Sequence, residues 1–299
     1  MSQFEDATIK NMQGGLESSF PKSGKMCTIY MDDWNDTSQG RTVPVITKVF
    51  HSATPQGFSE IYLHEAAARA SPGVTKVYQP GLERGRLLLR MEYCEKGSLA
   101  CEIEQRKRDN QPFNSQLVMV TMINMLRTLR DLHAVNIAHR AVSTENFLLT
   151  ADFSIKLTDF GAAKLIERGK ELDSHTELPG NSESGRAVLN PFAEDVFALG
   201  KVVYEMALLR PCRYDTQTPS DLLRADLNSK LRKYSLSAIA EPLAQMLCPL
   251  SEDRITAAEA LMQLERLPSL SEDTPVMYLT DFTGTTGDSS LDPQHPTSK

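Results

Sequence analysis

Residues 136–164, NIAHRAVSTENFLLTADFSIKLTDFGAAK, constrain this chain more than any other stretch. Two short apolar runs within it, NFLL and IKLTDF, read as a small strand pair. Polar residues flank them at fixed intervals: His139-Arg140, then Asn146 after five residues, then Asp159-Phe160-Gly161 thirteen residues beyond Asn146. Three adjacent letters arise by chance. A spaced set joined to a strand pair does not do so easily.

The flanking sequence divides in two. From residue 19 to residue 93 the chain offers short β-branched runs (CTIYM, VPVITKVF, VTKVY, RLLLRMEY) and one helical stretch, SEIYLHEAAARA. That stretch stops at Ser71-Pro72-Gly73, because proline disfavours helix at the residue before it. This half reads as a sheet with one helix. From residue 115 onward helical spacing dominates, over 115–135, 194–209, 219–232, 236–248 and 256–266. The longest apolar run, LVMVTMINMLRTLRDLH (117–133), is cut by Thr121, Asn124 and two arginines. It is too short and polar to span a bilayer, and its spacing predicts a helix with one buried face. Residues 1–18 read as a flexible start without the basic and apolar regions of a secretory signal, and 269–299 as a disordered tail. A net charge of −7 with no long basic run argues against nucleic acid or anionic membrane as the main partner. Five cysteines without a C-x-x-C pair suggest reduced thiols in an intracellular, cytoplasmic protein.

Joined to DVFALGKVVYEM and EDRITAAEAL, the H-R-x(5)-N and D-F-G pattern resembles the protein kinases over most of residues 20–268. The resemblance implies an α+β, two-lobed fold. An N-lobe of antiparallel sheet plus one helix would cover 19–93, and a mainly helical C-lobe 98–268. It also implies roles by position. Lys48 in VPVITK would pair with nucleotide phosphates, although taken alone it is a solvated lysine at a strand edge. Glu60 and Glu65 both qualify as its carboxylate partner, and spacing to the Ser71-Pro72-Gly73 turn favours Glu60. Met91 takes the gatekeeper position, Glu92, Tyr93 and Cys94 the adenine-binding hinge, and Leu148 a further nucleotide-pocket position. Asn146 and Asp159 match the magnesium ligands, both hard oxygen donors. Asp195 matches the aspartate that braces the catalytic loop. His139 and Phe160 match members of the stack between the lobes, and Gly161 completes D-F-G. Arg254 matches an arginine that pairs with the glutamate of A-P-E, and Arg140 one that can grip a phosphate at Ser174, Thr176, Ser182 or Ser184.

The departures from the pattern fall together. Position 141, where the family has its catalytic aspartate, is Ala141, and the lysine two residues on is Ser143. Of the three glycines that let backbone amides approach phosphates, only Gly24 is kept, with Lys22 and Cys27 at the other positions. By the same resemblance Ile29 would form the roof over adenine, and Ile46, where the family usually has alanine, would shrink the pocket or replace part of the adenine as core packing. Where A-P-E should stand the chain reads SGRAVLNPFAED. Glu145 is near the loop but points away from substrate in the family pattern. The expectation is a pseudokinase: a kinase-shaped module, with weak or absent ATP and Mg binding, that engages a protein partner such as an active kinase. The alternatives are an unusual but active serine/threonine kinase using ATP and Mg, and a switch that binds ATP without consuming it.

Overall fold

The computed structural model describes residues 21–24, 26–36, 40–83, 85–166 and 190–267. The expected flexible start, the disordered tail and the four candidate phosphate acceptors lie outside the described residues.

The smaller lobe is one antiparallel sheet in the order β1-β2-β3-β5-β4. Its strands are β1 (Lys22–Ser23), β2 (Cys27–Asp36), β3 (Arg41–Phe50), β4 (Val77–Glu83) and β5 (Arg86–Glu92). Strand β2 runs past CTIYM through Asp-Asp-Trp-Asn-Asp, because β3 pairs with it continuously from Cys27↔Phe50 to Asp36↔Arg41. Cross-strand pairing here overrides the low strand preference of Asp and Asn. The single helix, α1 (Pro55–Ala70), starts before the expected 59: the Thr54 side chain caps Gly57 N and Pro55 sits in the first turn. Strand β4 begins at Val77 rather than at 74, since residues 71–75 belong to the seam between the lobes.

The larger lobe is helical. It comprises β6 (Gly97–Ser98), α2 (Leu99–Asp109), α3 (Ser115–Ala134), β7 (Ile137–Ala138), β8 (Phe147–Leu149), β9 (Ile155–Leu157), β10 (Lys164–Leu165), α4 (Pro191–Leu208), α5 (Ser220–Arg232), α6 (Ala240–Met246) and α7 (Ala257–Glu265). Helix α3 forms its axis, packed against α4 and α7, with Met122, Met125, Leu126, Leu129 and Leu132 fully buried. The expected helix over 236–248 is instead a short 3₁₀ turn, Ser237–Ile239, followed by α6. Helix α2 has no counterpart among the expected elements. Only Leu99 and Ile103 of its LACEIEQRKRD are buried, which is too thin an apolar stripe to read as periodic. No helix among the described residues is long and apolar enough to cross a membrane.

The two lobes are sewn together by the segment after α1. Ser71 Oγ donates to Asp131 of α3 at 2.9 Å, Lys156 Nζ donates to Pro72 O at 2.7 Å, and Leu157 N donates to Gly73 O at 2.8 Å. Thr75 N returns a bond to Leu157 O at 3.0 Å, and Val74 bridges to Leu157. Gly73 is what permits this approach. A β-carbon there would stand 1.9 Å from Thr128 Oγ1 of α3. Gly73→Ala is therefore expected to destabilise the protein by roughly 1–3 kcal/mol in urea denaturation. Adding Thr128→Ala should restore part of that loss.

Candidate functional site

The cleft between the lobes gathers charges from three elements. Lys48 on β3 pairs with Glu60 on α1 and lies 3.4 Å from Asp159 Oδ1. Glu65, the other candidate partner, is engaged one turn further along α1 by Arg69 at 3.3 Å. Burial pulls the Lys48 ammonium down, but Glu60 and Asp159 together more than offset this and hold it above its ordinary value. Gly161 keeps room for the buried carboxylate, since a β-carbon there would press within 3.2 Å of Glu60 Oε2.

Below this cluster the loop 139–146 is fixed from underneath by Asp195, which is buried in α4. Its carboxylate accepts from His139 N at 2.8 Å and Arg140 N at 2.7 Å, and meets His133 Nε2 at 3.1 Å. Arg140 is held at a left-handed φ of 64° and Asp159 at the same value. Such backbone costs free energy and persists only where surrounding contacts impose it. Asn146 Nδ2 donates to Ala141 O at 2.8 Å, and Thr158 N donates to Asn146 O at 2.9 Å, so Asn146 ties the loop to the residue before Asp159. The loop is thus fully built, yet position 141 presents only a methyl group. Ser143 is half-buried, and Glu145 is exposed and bonded by Thr144.

Phe160 is fully buried between two imidazoles. His139 meets it edge-on at 4.8 Å, and His64 of α1 stacks on it at 4.7 Å. Backbone Ala141 N donates to His139 Nδ1 and the ring Nε2 faces Thr158 O at 3.0 Å, so the proton sits on Nε2. His64 was not among the residues singled out from sequence. A lone histidine within SEIYLHEAAARA carries no signal of its own, but its place one turn after Glu60, on the same helix face, could have drawn attention to it.

The roof and hinge are present but altered. Ile29 pairs across the sheet with Lys48, and Ile46 pairs with buried Met91 and packs into the lobe's own small core. Gly24 N donates to Cys27 O at 2.8 Å, closing the β1–β2 hairpin tightly with Lys22 on its edge. Glu92 exchanges bonds with the Lys76 backbone, through its own N at 2.8 Å and through its carboxylate at 3.0 Å. Cys94 is buried, and burial followed by its neighbours Glu92 and Glu95 pushes its thiol up to about 12, leaving it inert. Leu148 is half-buried between Phe147 and Leu149 on β8. An open depression of about 320 Å³ lies elsewhere, lined by Glu92, Tyr93, Glu95, Asp152 and Lys156, and includes none of Lys48, Glu60, Asn146 or Asp159.

Arg254 has found a different partner from the one its motif suggests. With its guanidinium buried, it pairs with Glu194 at 2.8 Å and caps the carbonyls of Ala193, Cys248 and Pro249. Glu194 precedes Asp195 in the first turn of α4, so the ion pair normally sought in A-P-E is made beside the brace itself.

A model of the protein kinase domain matches residues 24–264. The chain belongs to the protein kinase family. Among similar proteins, serine/threonine-protein kinase Nek3 of Oryza sativa is 28% identical over 184 residues, covering 60% of this chain and 31% of the relative. Serine/threonine-protein kinase SSK22 of Saccharomyces cerevisiae is 31% identical over 158 residues, 46% of this chain and 12% of its own. Serine/threonine-protein kinase Nek10 of Homo sapiens is 30% identical over 148 residues, 48% of this chain and 13% of its own. The chain therefore spans under a third of the length of each of these kinases.

Kinases of this family use ATP with Mg²⁺, and the donor set here suits that ion. Asn146 spends its amide nitrogen on Ala141 O, which leaves the side-chain oxygen as its candidate metal-ligating atom. Asp159 is half exposed and commits one carboxylate oxygen to Lys48 and Gly161 N. Two hard oxygens on adjoining segments are what a phosphate-bound Mg²⁺ takes from a protein. Among the described residues no cluster of three or more His, Cys, Asp or Glu side chains forms an all-protein metal site.

The histidine stack gives this kinase domain a pH signature. Burial drives the His64 imidazole from 6.5 to about 4 and lowers His139 as well; the groups acting on His64 are Thr75, His139, Lys48 and Asp159. Between those two values the unfolded chain takes up a proton that the folded state refuses. Stability should therefore be level above about pH 6.5 and fall as pH drops towards 4. Urea midpoints at pH 7, 6 and 5 should show this slope, and His64→Gln should flatten it.

Proposed function

We propose that this kinase domain is a pseudokinase, a catalytically impaired module that binds a protein partner, such as an active kinase, by presenting a fixed two-lobed shape. The observation that carries the reading is the loop 139–146. Every backbone support of that loop is made, through Asp195, His139 and Asn146, while the carboxylate that would take the substrate proton is replaced by the Ala141 methyl. A positioned general base contributes roughly 10²–10⁴ in rate. Ser143 removes a nearby positive charge as well, and the tight Gly24–Cys27 hairpin leaves little of a phosphate-cradling loop. Glu145 does not substitute, because it is exposed and held by Thr144.

A second reading rests on a specific arrangement. The Lys48–Glu60 pair with Asp159 beside it favours an unusual serine/threonine kinase that still binds ATP and Mg²⁺. Phosphoryl transfer depends mostly on positioning and electrostatics, so turnover without the aspartate is chemically open. Weak nucleotide binding fits both readings, with Lys48 on the phosphates, Asn146 and Asp159 holding the ion, and Ile46 against Met91 restricting the adenine space.

Thermal unfolding with 1 mM ATP separates strong from weak binding. With Mg²⁺ the midpoint should rise by less than about 2 °C, and the rise should vanish in Lys48→Ala or when Mg²⁺ is chelated. A rise of about 5 °C or more that survives Lys48→Ala would mean that nucleotide binds somewhere other than this cleft.

A further inference from the structure

Glu60 and His64 stand one turn apart on the same face of α1, so whatever fixes one ring in place also fixes the other carboxylate. His64 is fully buried, and its Nε2 lies 2.9 Å from Thr75 Oγ1 and 3.2 Å from Thr75 O. Its Nδ1 is buried without a hydrogen-bond partner. A carbonyl oxygen facing Nε2 can only accept, which places the ring proton on Nε2 and leaves Nδ1 a bare lone pair. An unpartnered buried acceptor is costly, and a leucine would fill the stack against Phe160 without that cost. The histidine therefore contributes something that packing alone would not.

What it contributes is a directed link. Thr75 lies in the segment sewn to the larger lobe, and its Oγ1 donates onward to Thr158 Oγ1 at 3.2 Å and to Leu157 O at 3.4 Å. Thr158 directly precedes Asp159; its hydroxyl reaches Met91 Sδ at 3.7 Å and its carbonyl faces His139 Nε2. A continuous polar chain, His64–Thr75–Thr158–His139, thus joins the two rings that flank Phe160 and crosses between the lobes. Apolar rings can slide past one another, whereas a hydrogen-bonded chain has one register.

We propose that His64 is a positioning residue: its bond to Thr75 latches α1 to the larger lobe and so keeps Glu60 on Lys48 without help from nucleotide. This builds on the reading of Lys48, Glu60 and Asp159 as one site, and it gives the proposed module a reason to hold one shape while idle.

The test is amide hydrogen exchange of residues 55–70 in the full chain without nucleotide, together with labelling of Lys48 by an amine-reactive acyl probe. His64→Leu and Thr75→Val should each speed exchange in α1 by about tenfold and increase Lys48 labelling, since one lost hydrogen bond is of that order. The double variant should do no more than either single one, because both cut the same link. His64→Gln, which can still offer a nitrogen donor to Thr75, should keep α1 protected. If His64→Leu exchanges like the wild type or more slowly, the ring only packs and the latch is wrong. Effects that multiply in the double variant would equally overturn it. Should His64→Leu fail to fold, the near-isosteric Thr75→Val and the Gln rescue decide alone. Failure of ATP to bind in any variant would count against the nucleotide site and leave the latch standing, because exchange is read without ligand.

Discussion

The structure depends on one buried carboxylate. Asp195 is removed from water, where an ionised group is tolerated only if its lone pairs are filled. They are filled by two consecutive backbone amides, His139 and Arg140, and by the His133 ring. Pinning two successive amides to one carboxylate fixes the peptide between them, which is how Arg140 is held in a left-handed conformation. From that bend the chain turns His139 up against Phe160 and sends Ala141 and Asn146 along the floor of the cleft. Arg254 reinforces the same place from the other side, through Glu194 and the Ala193 carbonyl at the start of α4.

On the proposed reading, frame and chemistry have separated in this domain. The groups that hold lobe to lobe and loop to helix form a connected set: Asp195, His139, Phe160, His64, Thr75 and the Gly73 contact with α3. Those that would act on a substrate are missing or reshaped, at Ala141, at Ser143 and in the β1–β2 hairpin. Lys48, Glu60 and Asp159 stand between the two classes. Their ion-pair contacts tie β3 to α1 and to the segment of Asp159 across the cleft, and the same three groups would engage phosphate and metal if nucleotide entered. A surface that keeps its shape without turnover is what a binding module needs.

Much of the fold was legible because kinase signatures are local. Strand runs in the first half, five helical stretches in the second and the hairpin between Asn146 and Asp159 all carry their own periodicity. A lysine–glutamate pair at Lys48 came with the resemblance to kinases, and spacing to the Ser71-Pro72-Gly73 turn only tipped the choice from Glu65 to Glu60, the residue that Lys48 meets. Most of the misses depend on contacts far away in sequence, and helix α2 is an exception. Helix α2 shows few apolar residues because most of it faces water. The shift of β4 to Val77 results from residues 72–75 being captured by β9, more than eighty positions later. Glu194 could not be matched to Arg254 while the partner was sought in an A-P-E motif. The spacing of His64 from Glu60 could have singled it out, but its role comes from Phe160 and Thr75, which no pattern within α1 contains.

The central claim, a complete kinase frame without its chemistry, is tested most directly by transfer of labelled γ-phosphate from ATP·Mg²⁺ to the protein itself and to a generic acceptor protein. Incorporation by the natural chain should be indistinguishable from that of an Asp159→Ala variant. Transfer approaching the ~1–100 s⁻¹ of ordinary kinases, and abolished by Asp159→Ala, would contradict the claim and make this an active enzyme with an unusual loop.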